Sequence, residues 1–259
     1  MTGVVREERH ADGVVLLRLD NAAHRNALND AMIAGLTAAL RALAEDASCR
    51  VVVLRGAGGM FCAGREITEL RRLQDGAMPE EITAAYDRLR VLAEALYYCP
   101  KPTVAVLERY ALGAGTALAS WSDIAIAEDR CLLGYPEVRI GIPPTMTTLS
   151  LIRGAHRKAA VDLLLTARTI DAQEAARLGL ITRAVPADAL EAEVGRTLAA
   201  LVANSPDAMA RTKQMIWKTE DADFRSGLAV AVDGISIAVG TREAREGVAA
   251  FLEKRKPSW

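Results

Sequence analysis

Residues 104–144, VAVLERYALGAGTALASWSDIAIAEDRCLLGYPEVRIGIPP, constrain this chain more than any other stretch. The stretch is entered through a short apolar run, residues 103–107, whose pattern predicts a buried strand. A turn and the segment Ala111-Leu112-Gly113-Ala114-Gly115 come next, then a run of small residues, 116–120, suited to a helix packed close to its neighbours. Two glycines at the mouth of that helix leave room for a ligand to approach amides that have no partner within the helix. A helix start carries partial positive charge and favours an anion or a developing oxyanion. Twenty residues past Ala117 stands Tyr135-Pro136-Glu137, an isolated carboxylate placed by a proline among apolar residues. An electrophile-stabilising turn and one carboxylate are the minimum of an acid/base site. A carboxylate in such surroundings has its pKa raised, which suits proton transfer near neutrality. The competing reading of Glu137 is a structural carboxylate paired with Arg139.

Before this stretch, residues 4–9 and 14–19 flank Ala11-Asp12-Gly13 and predict a β-hairpin. Residues 21–26 form a polar loop carrying His24 and Arg25. A helix then starts at Asn29 or Asp30, with Ile33, Leu36, Leu40 and Leu43 on one face. The β-branched run 51–54 predicts a buried parallel strand. A glycine-rich loop leads to Phe61-Cys62-Ala63-Gly64 and a short helix over 66–74. Pro79 opens the next helix, with Ile82, Tyr86, Leu89, Ala93 and Leu96 as its apolar stripe. After Glu137 the pattern is almost wholly helical, with a capping box at Asp171-Ala172-Gln173-Glu174, a C-terminal cap at Gly179 and an N-cap at Ser205-Pro206. Strands alternating with helices, then helices alone, predict an α/β core followed by a helical extension.

Composition narrows the function. The 32 basic residues nearly balance the 33 acidic ones, which argues against a dedicated nucleic-acid or membrane-surface binder. Cys49, Cys62, Cys99 and Cys131 lack metal-type spacing and read as reduced core cysteines; no metal site is expected. No apolar segment has signal-peptide length at the start, and no run reaches ~18 residues, so a cytoplasmic protein without membrane contact is expected.

Five segments together resemble the crotonase (enoyl-CoA hydratase/isomerase) family in order and spacing, over nearly the whole chain. They are Phe61-Cys62-Ala63-Gly64-Arg65-Glu66-Ile67, Tyr110-Ala111-Leu112-Gly113-Ala114-Gly115, Ser122-Asp123-Ile124, Pro136-Glu137-Val138-Arg139-Ile140-Gly141 and Ala175-Ala176-Arg177-Leu178-Gly179-Leu180-Ile181. The resemblance implies a spiral of ββα units over residues 1–195 carrying an acyl-CoA site. It further implies a C-terminal helical region, 196–259, that mediates trimer contacts in a homotrimer or homohexamer. The tail that follows Phe251 reads either as a solvated terminus or as a contact to bound CoA.

By the same resemblance, the backbone amides of Arg65 and Ala114 hold the thioester oxygen and Glu137 handles the proton. Arg25, Ala63, Arg65 and Ile67 match positions around the adenine and phosphates of CoA, although Arg25 reads equally well as a surface arginine. Coenzyme A enters as part of the substrate and no other cofactor is implied. The expected reaction is hydration of a 2-enoyl-CoA. The alternatives are double-bond isomerisation by the same glutamate, and a non-catalytic CoA- or RNA-binding member of the fold. Three departures bear on the choice. Ala117 stands where the best-known hydratases carry a second glutamate, Glu108-Arg109 replaces an asparagine-glycine pair, and Pro143-Pro144-Thr145-Met146 replaces a glycine-rich turn and should stiffen the wall near Glu137. Asp123 looks catalytic by type, but reads better as a structural hydrogen-bond acceptor.

Overall fold

The computed structural model describes residues 3–259; Met1 and Thr2, at the start of the segment read for export, lie outside the described residues. The strands in chain order are β1 (Val4–Arg9), β2 (Val14–Asp20), β3 (Val51–Gly56), β4 (Thr103–Leu107), β5 (Tyr110–Leu112), β6 (Ile124–Glu128), β7 (Leu132–Gly134), β8 (Thr169–Asp171) and β9 (Arg183–Val185). The helices are α1 (Asp30–Glu45), α2 (Ile67–Gln74), α3 (Pro79–Tyr97), α4 (Ala114–Trp121), α5 (Thr145–Gly154), α6 (Arg157–Thr166), α7 (Ala172–Arg177), α8 (Leu190–Ala203), α9 (Pro206–Thr219), α10 (Phe224–Ala238) and α11 (Arg242–Leu252).

The β1–β2 hairpin is antiparallel, from Val4 opposite Asp20 to Arg9 opposite Val15. Parallel pairing then carries the larger sheet through β2, β3, β4, β6 and β9. Its central strands β2, β3, β4 and β6 are mainly apolar because both their faces are covered, whereas the edge strand β1 is largely charged and exposed. Odd and even positions divide between two cores. Leu17, Val52, Leu54, Ala105 and Leu107 face one side with α1, α3 and α4, while Leu16, Val51, Val53, Val104 and Val106 face the other. That second face is closed by Leu190 and Val194 of α8. The boundary expected at 195/196 therefore falls inside a helix that packs on the sheet.

A second, shorter ladder runs beside the first. Strands β2, β3, β4 and β6 of the larger sheet are each followed by a brief extended segment and then a helix. The extended segments stack in turn: Leu28 bridges Arg65, Cys62 bridges Ala111, and β5 pairs with β7. The chain thus winds in successive ββα turns, one strand in each ladder. Strands β8 and β9 replace part of the wholly helical pattern expected after Glu137. Each has three residues, too few for alternation to show, and each is fixed by pairing with β7 or β6. In α3 the buried stripe is Ala85, Leu89, Leu92 and Leu96. Ile82 and Tyr86, expected on it, are partly exposed because the helix turns Ala85 to the core at that level, while Tyr86 borders the cavity described below.

Among the described residues no single helix is long and apolar enough to cross a membrane, although α10 and α11, meeting at 74°, pass that test as a bent pair. The four cysteines are free and buried.

Candidate active site

The second ladder decides which amides are left without acceptors. Leu28 donates to Gly64 O and accepts from Glu66 N, so the Arg65 N–H points to the opposite edge of its segment. Along that opposite edge Cys62 pairs with β5: its N–H donates to Tyr110 O, and its carbonyl accepts from Leu112 N. Arg65 follows Cys62 by three residues, Ala114 follows Ala111 by three, and Glu137 follows Leu133 by four; Cys62, Ala111 and Leu133 are neighbours across this ladder. The three candidate residues therefore leave equivalent rungs of three successive turns.

Neither the Arg65 nor the Ala114 amide donates to an acceptor among the described residues. Their closeness follows from Gly64, which has φ +104°; a Cβ built on it would lie 2.9 Å from Leu112 O and 3.6 Å from Ala114 N. Ala114 is the first residue of α4, so its free amide is one of the orphans every helix start presents. Two such donors on fixed backbone suit an oxygen whose negative charge grows during reaction.

Glu137 sits over the same start. Gly113, the N-cap of α4 at φ +53°, would carry a Cβ 2.9 Å from Glu137 Oε1. Only a residue without a side chain admits the carboxylate there. The other glycine expected to leave room for a ligand, Gly115, instead admits the Cys62 carbonyl, 2.3 Å from where its Cβ would be. Arg139 does not pair with Glu137; it donates to Ala167 O at 2.6 Å. Glu137 Oε2 is buried and has no hydrogen-bond partner among the described residues. Burial pushes the Glu137 carboxyl above its ordinary 4.5. Burial also drives the nearby Cys62 thiol up to about 12, so it stays a neutral core group.

These groups face one cavity of about 230 Å³, lined by Ala63, Arg65, Ile67, Ala114, Ala117 and Glu137 among others. Arg25 is not on its wall. It is exposed, in the left-handed region at φ 55°, and its carbonyl accepts the Ala63 amide at 3.1 Å. The Arg65 guanidinium turns away to Asp30 at 3.0 Å. Pro143 and Pro144 line the wall beside Glu137, and Ile142 N donates to Glu137 O at 3.1 Å.

Met146, in the segment expected to stiffen the wall near Glu137, lines the cavity, whereas sequence reasoning missed Tyr86 and Trp121 as parts of it. For Trp121, the spacing from Ala114 and Ala117 on one helix was the available signal. Glu108 and Arg109 do not line the cavity. Glu108 forks onto Arg55 at 2.7 and 2.8 Å, and its carbonyl takes the Phe61 and Tyr110 amides, so it sets the loop that starts the Cys62–Ala111 rung. Asp123 Oδ2 accepts from Thr103 N, Thr103 Oγ1 and Lys213 Nζ, a structural junction outside the cavity. No cluster of three or more metal-ligating side chains occurs among the described residues.

Stacked ββα turns with three consecutive rungs converging on one cavity define a crotonase-fold enzyme, and comparison with known proteins agrees. The family model described as enoyl-CoA hydratase/isomerase matches residues 9–259. The chain belongs to that family. An enoyl-CoA hydratase from Mycobacterium smegmatis has a solved structure with a TM-score of 0.93 at 32% identity, covering 99% of this chain and 98% of that one. Pseudomonas aeruginosa AtuE gives 0.93 at 36% identity, with 98% of each chain covered. The 2,3-dehydroadipyl-CoA hydratase of Escherichia coli (strain K12) is 33% identical over 259 residues, 99% of this chain and 97% of its own length.

Proposed function

We propose that this enzyme adds water across the double bond of a 2-enoyl-CoA. In this reading the Arg65 and Ala114 amides hold the thioester oxygen, and Glu137 takes a proton from the water that attacks C3 and delivers one to C2 of the resulting enolate. The observation that carries it is the Glu137 carboxylate, whose buried Oε2 has no partner, set over Gly113 in the same cavity as two amides without acceptors. No electrons are exchanged with an outside group, so the substrate's own coenzyme A is the one cofactor the scheme requires. Ala63, Arg65 and Ile67 would meet the CoA moiety at the cavity, with the exposed Arg25 guanidinium on the adjoining loop available to a phosphate.

Ala117 favours a second reading, isomerisation. A buried methyl group at that position cannot help Glu137 hold a water, whereas moving a proton between C2 and C4 needs one carboxylate alone. The two readings separate in water enriched in ¹⁸O. Hydration places one heavy oxygen in the product of crotonyl-CoA. A shifted double bond with no heavy oxygen, across a panel of enoyl-CoA isomers, would establish isomerisation instead. Replacing Ala114 by proline removes one donor and should lower turnover by ~10²–10³ in either case.

A further inference from the structure

We propose that the acyl group taken by this enzyme is an uncharged apolar chain of roughly eight carbons or more, whose far end lies in a second cavity beyond Trp121. The inference rests on the reading of the Arg65 and Ala114 amides as the seat of the thioester oxygen.

The first cavity, about 230 Å³, contains the amides and Glu137. A second, of about 630 Å³, adjoins it, and the two share Trp121, Thr145 and Met146 as common wall. Helix α4 lays the track between them. Ala114, Ala117 and Trp121 all line the first cavity, at spacings of three and four that keep them on one helix face. Rising 1.5 Å per residue, that face runs ~10 Å from the Ala114 amide to Trp121. A zigzag chain with C–C bonds of ~1.5 Å covers it with roughly eight carbons. Ala117 is 1% exposed and offers the track a methyl group where a carboxylate would charge it. Trp121 lines both cavities, and its ring is held in place by Nε1, which donates to Ser150 Oγ at 2.7 Å.

The second cavity also restricts the chain's terminus. Its wall combines apolar Ala93, Met146 and Leu149 with the charged Arg90, Glu94, Arg153 and Glu220. Each arginine lining it is already engaged. Arg90 pairs with Asp87 and Glu94, and Arg153 pairs with Asp221 at 2.6 Å and Glu220 at 3.4 Å. Glu220 also accepts from the Tyr97 hydroxyl. An acyl chain ending in a carboxylate would meet Glu94 and Glu220 with no free cation on that wall. A hydrocarbon end meets no such repulsion and leaves water.

The test is calorimetric titration with saturated acyl-CoAs, which lack the reacting double bond and report binding without turnover. Butyryl-CoA, decanoyl-CoA and a ten-carbon acyl-CoA ending in a carboxylate are compared on the wild type and on Ala93→Phe, whose ring would fill the second cavity. Decanoyl-CoA should bind about tenfold or more tightly than either other ligand, and Ala93→Phe should abolish that preference. Equal affinities for the three ligands, a preference that survives Ala93→Phe, or tight binding of the carboxylate-ended chain would each overturn the proposal. Should Ala93→Phe fail to fold, Leu149→Trp, at an exposed position on the same wall, takes its place. Turnover of crotonyl-CoA with no chain-length preference would sink this inference and leave the hydratase reading standing. Decanoyl preference without turnover of any enoyl-CoA would do the reverse.

Discussion

Burial raises the pKa of Glu137 because its charged form loses water, while Arg139 is spent on the Ala167 carbonyl and compensates nothing. The folded chain therefore binds this proton more tightly than the unfolded one. The stability that depends on it is complete below the ordinary value of 4.5 and is lost as pH rises through the raised folded value. Glu137→Gln removes the charge at little change of shape. It should melt above the wild type near neutrality and level with it below pH 4.5, while turnover falls by ~10²–10⁴. Turnover within threefold of the wild type on every active enoyl-CoA would remove Glu137 from the chemistry. Gly113→Ala probes the same carboxylate from the other side. Its Cβ would stand 2.9 Å from Glu137 Oε1 at φ +53°, so we expect a stability loss of about 1 kcal/mol or more and a fall in kcat larger than the change in KM. Steady-state kinetics and a melting curve read both. None of this Gly113–Glu137 contact is visible in sequence, where the two residues are simply 24 positions apart.

At the scale of elements, Asp123 joins three pieces of the fold. Its carboxylate accepts from Thr103 N and Oγ1 at the start of β4, and from Lys213 Nζ on α9 at 2.5 Å. Lys213 also donates to Lys101 O at 2.9 Å and is only 7% exposed. Lys213→Met would leave the carboxylate with two donors and no cation. Because the Asp123 side chain is 30% exposed, the cost belongs at the low end for a broken buried pair, about 3 kcal/mol. The double variant with Asp123→Asn should lose less than the two single losses added, which chemical denaturation of the four proteins would measure. Local signals of this kind were readable in advance: Asn29 caps α1 by accepting from Met32 N, and Ser205 caps α9 by accepting from Ala208 N. The capping box at Asp171 is half present, since Glu174 sends its carboxylate to Arg168 and not back to the cap. Arg65, Ala114 and Glu137 could be picked out from the segments around them, but the rungs that bring them together could not. A bridge such as Cys62 to Ala111 involves one residue from each side and leaves no periodic trace.

Over the whole molecule, burial is distributed unevenly. The sheet is sealed on both faces, yet α10 has no buried residue along its length. Phe224 is 83% exposed, and Leu228, Val232 and Ile235 stand on the same helix with more than half their surface open. Phe251, at the end of α11, is also 83% exposed. An apolar surface of this extent is rarely left to water in a monomer. Burying it against other copies of the chain would contribute roughly 1.5–3 kcal/mol for each large side chain fully covered, and several per subunit act together. A charge placed there would lose that gain and be desolvated besides. We therefore expect self-association through α10, as the trimer or pair of trimers that the family resemblance implies, and expect Val232→Asp to shift the protein towards monomer. The variant's subunit should keep its fold, because Val232 touches neither the sheet nor the Lys213–Asp123 junction that ties α9 to it. Sedimentation at micromolar concentration decides the matter. A wild type that sediments as a clean monomer would mean the exposed face of α10 serves something other than self-association.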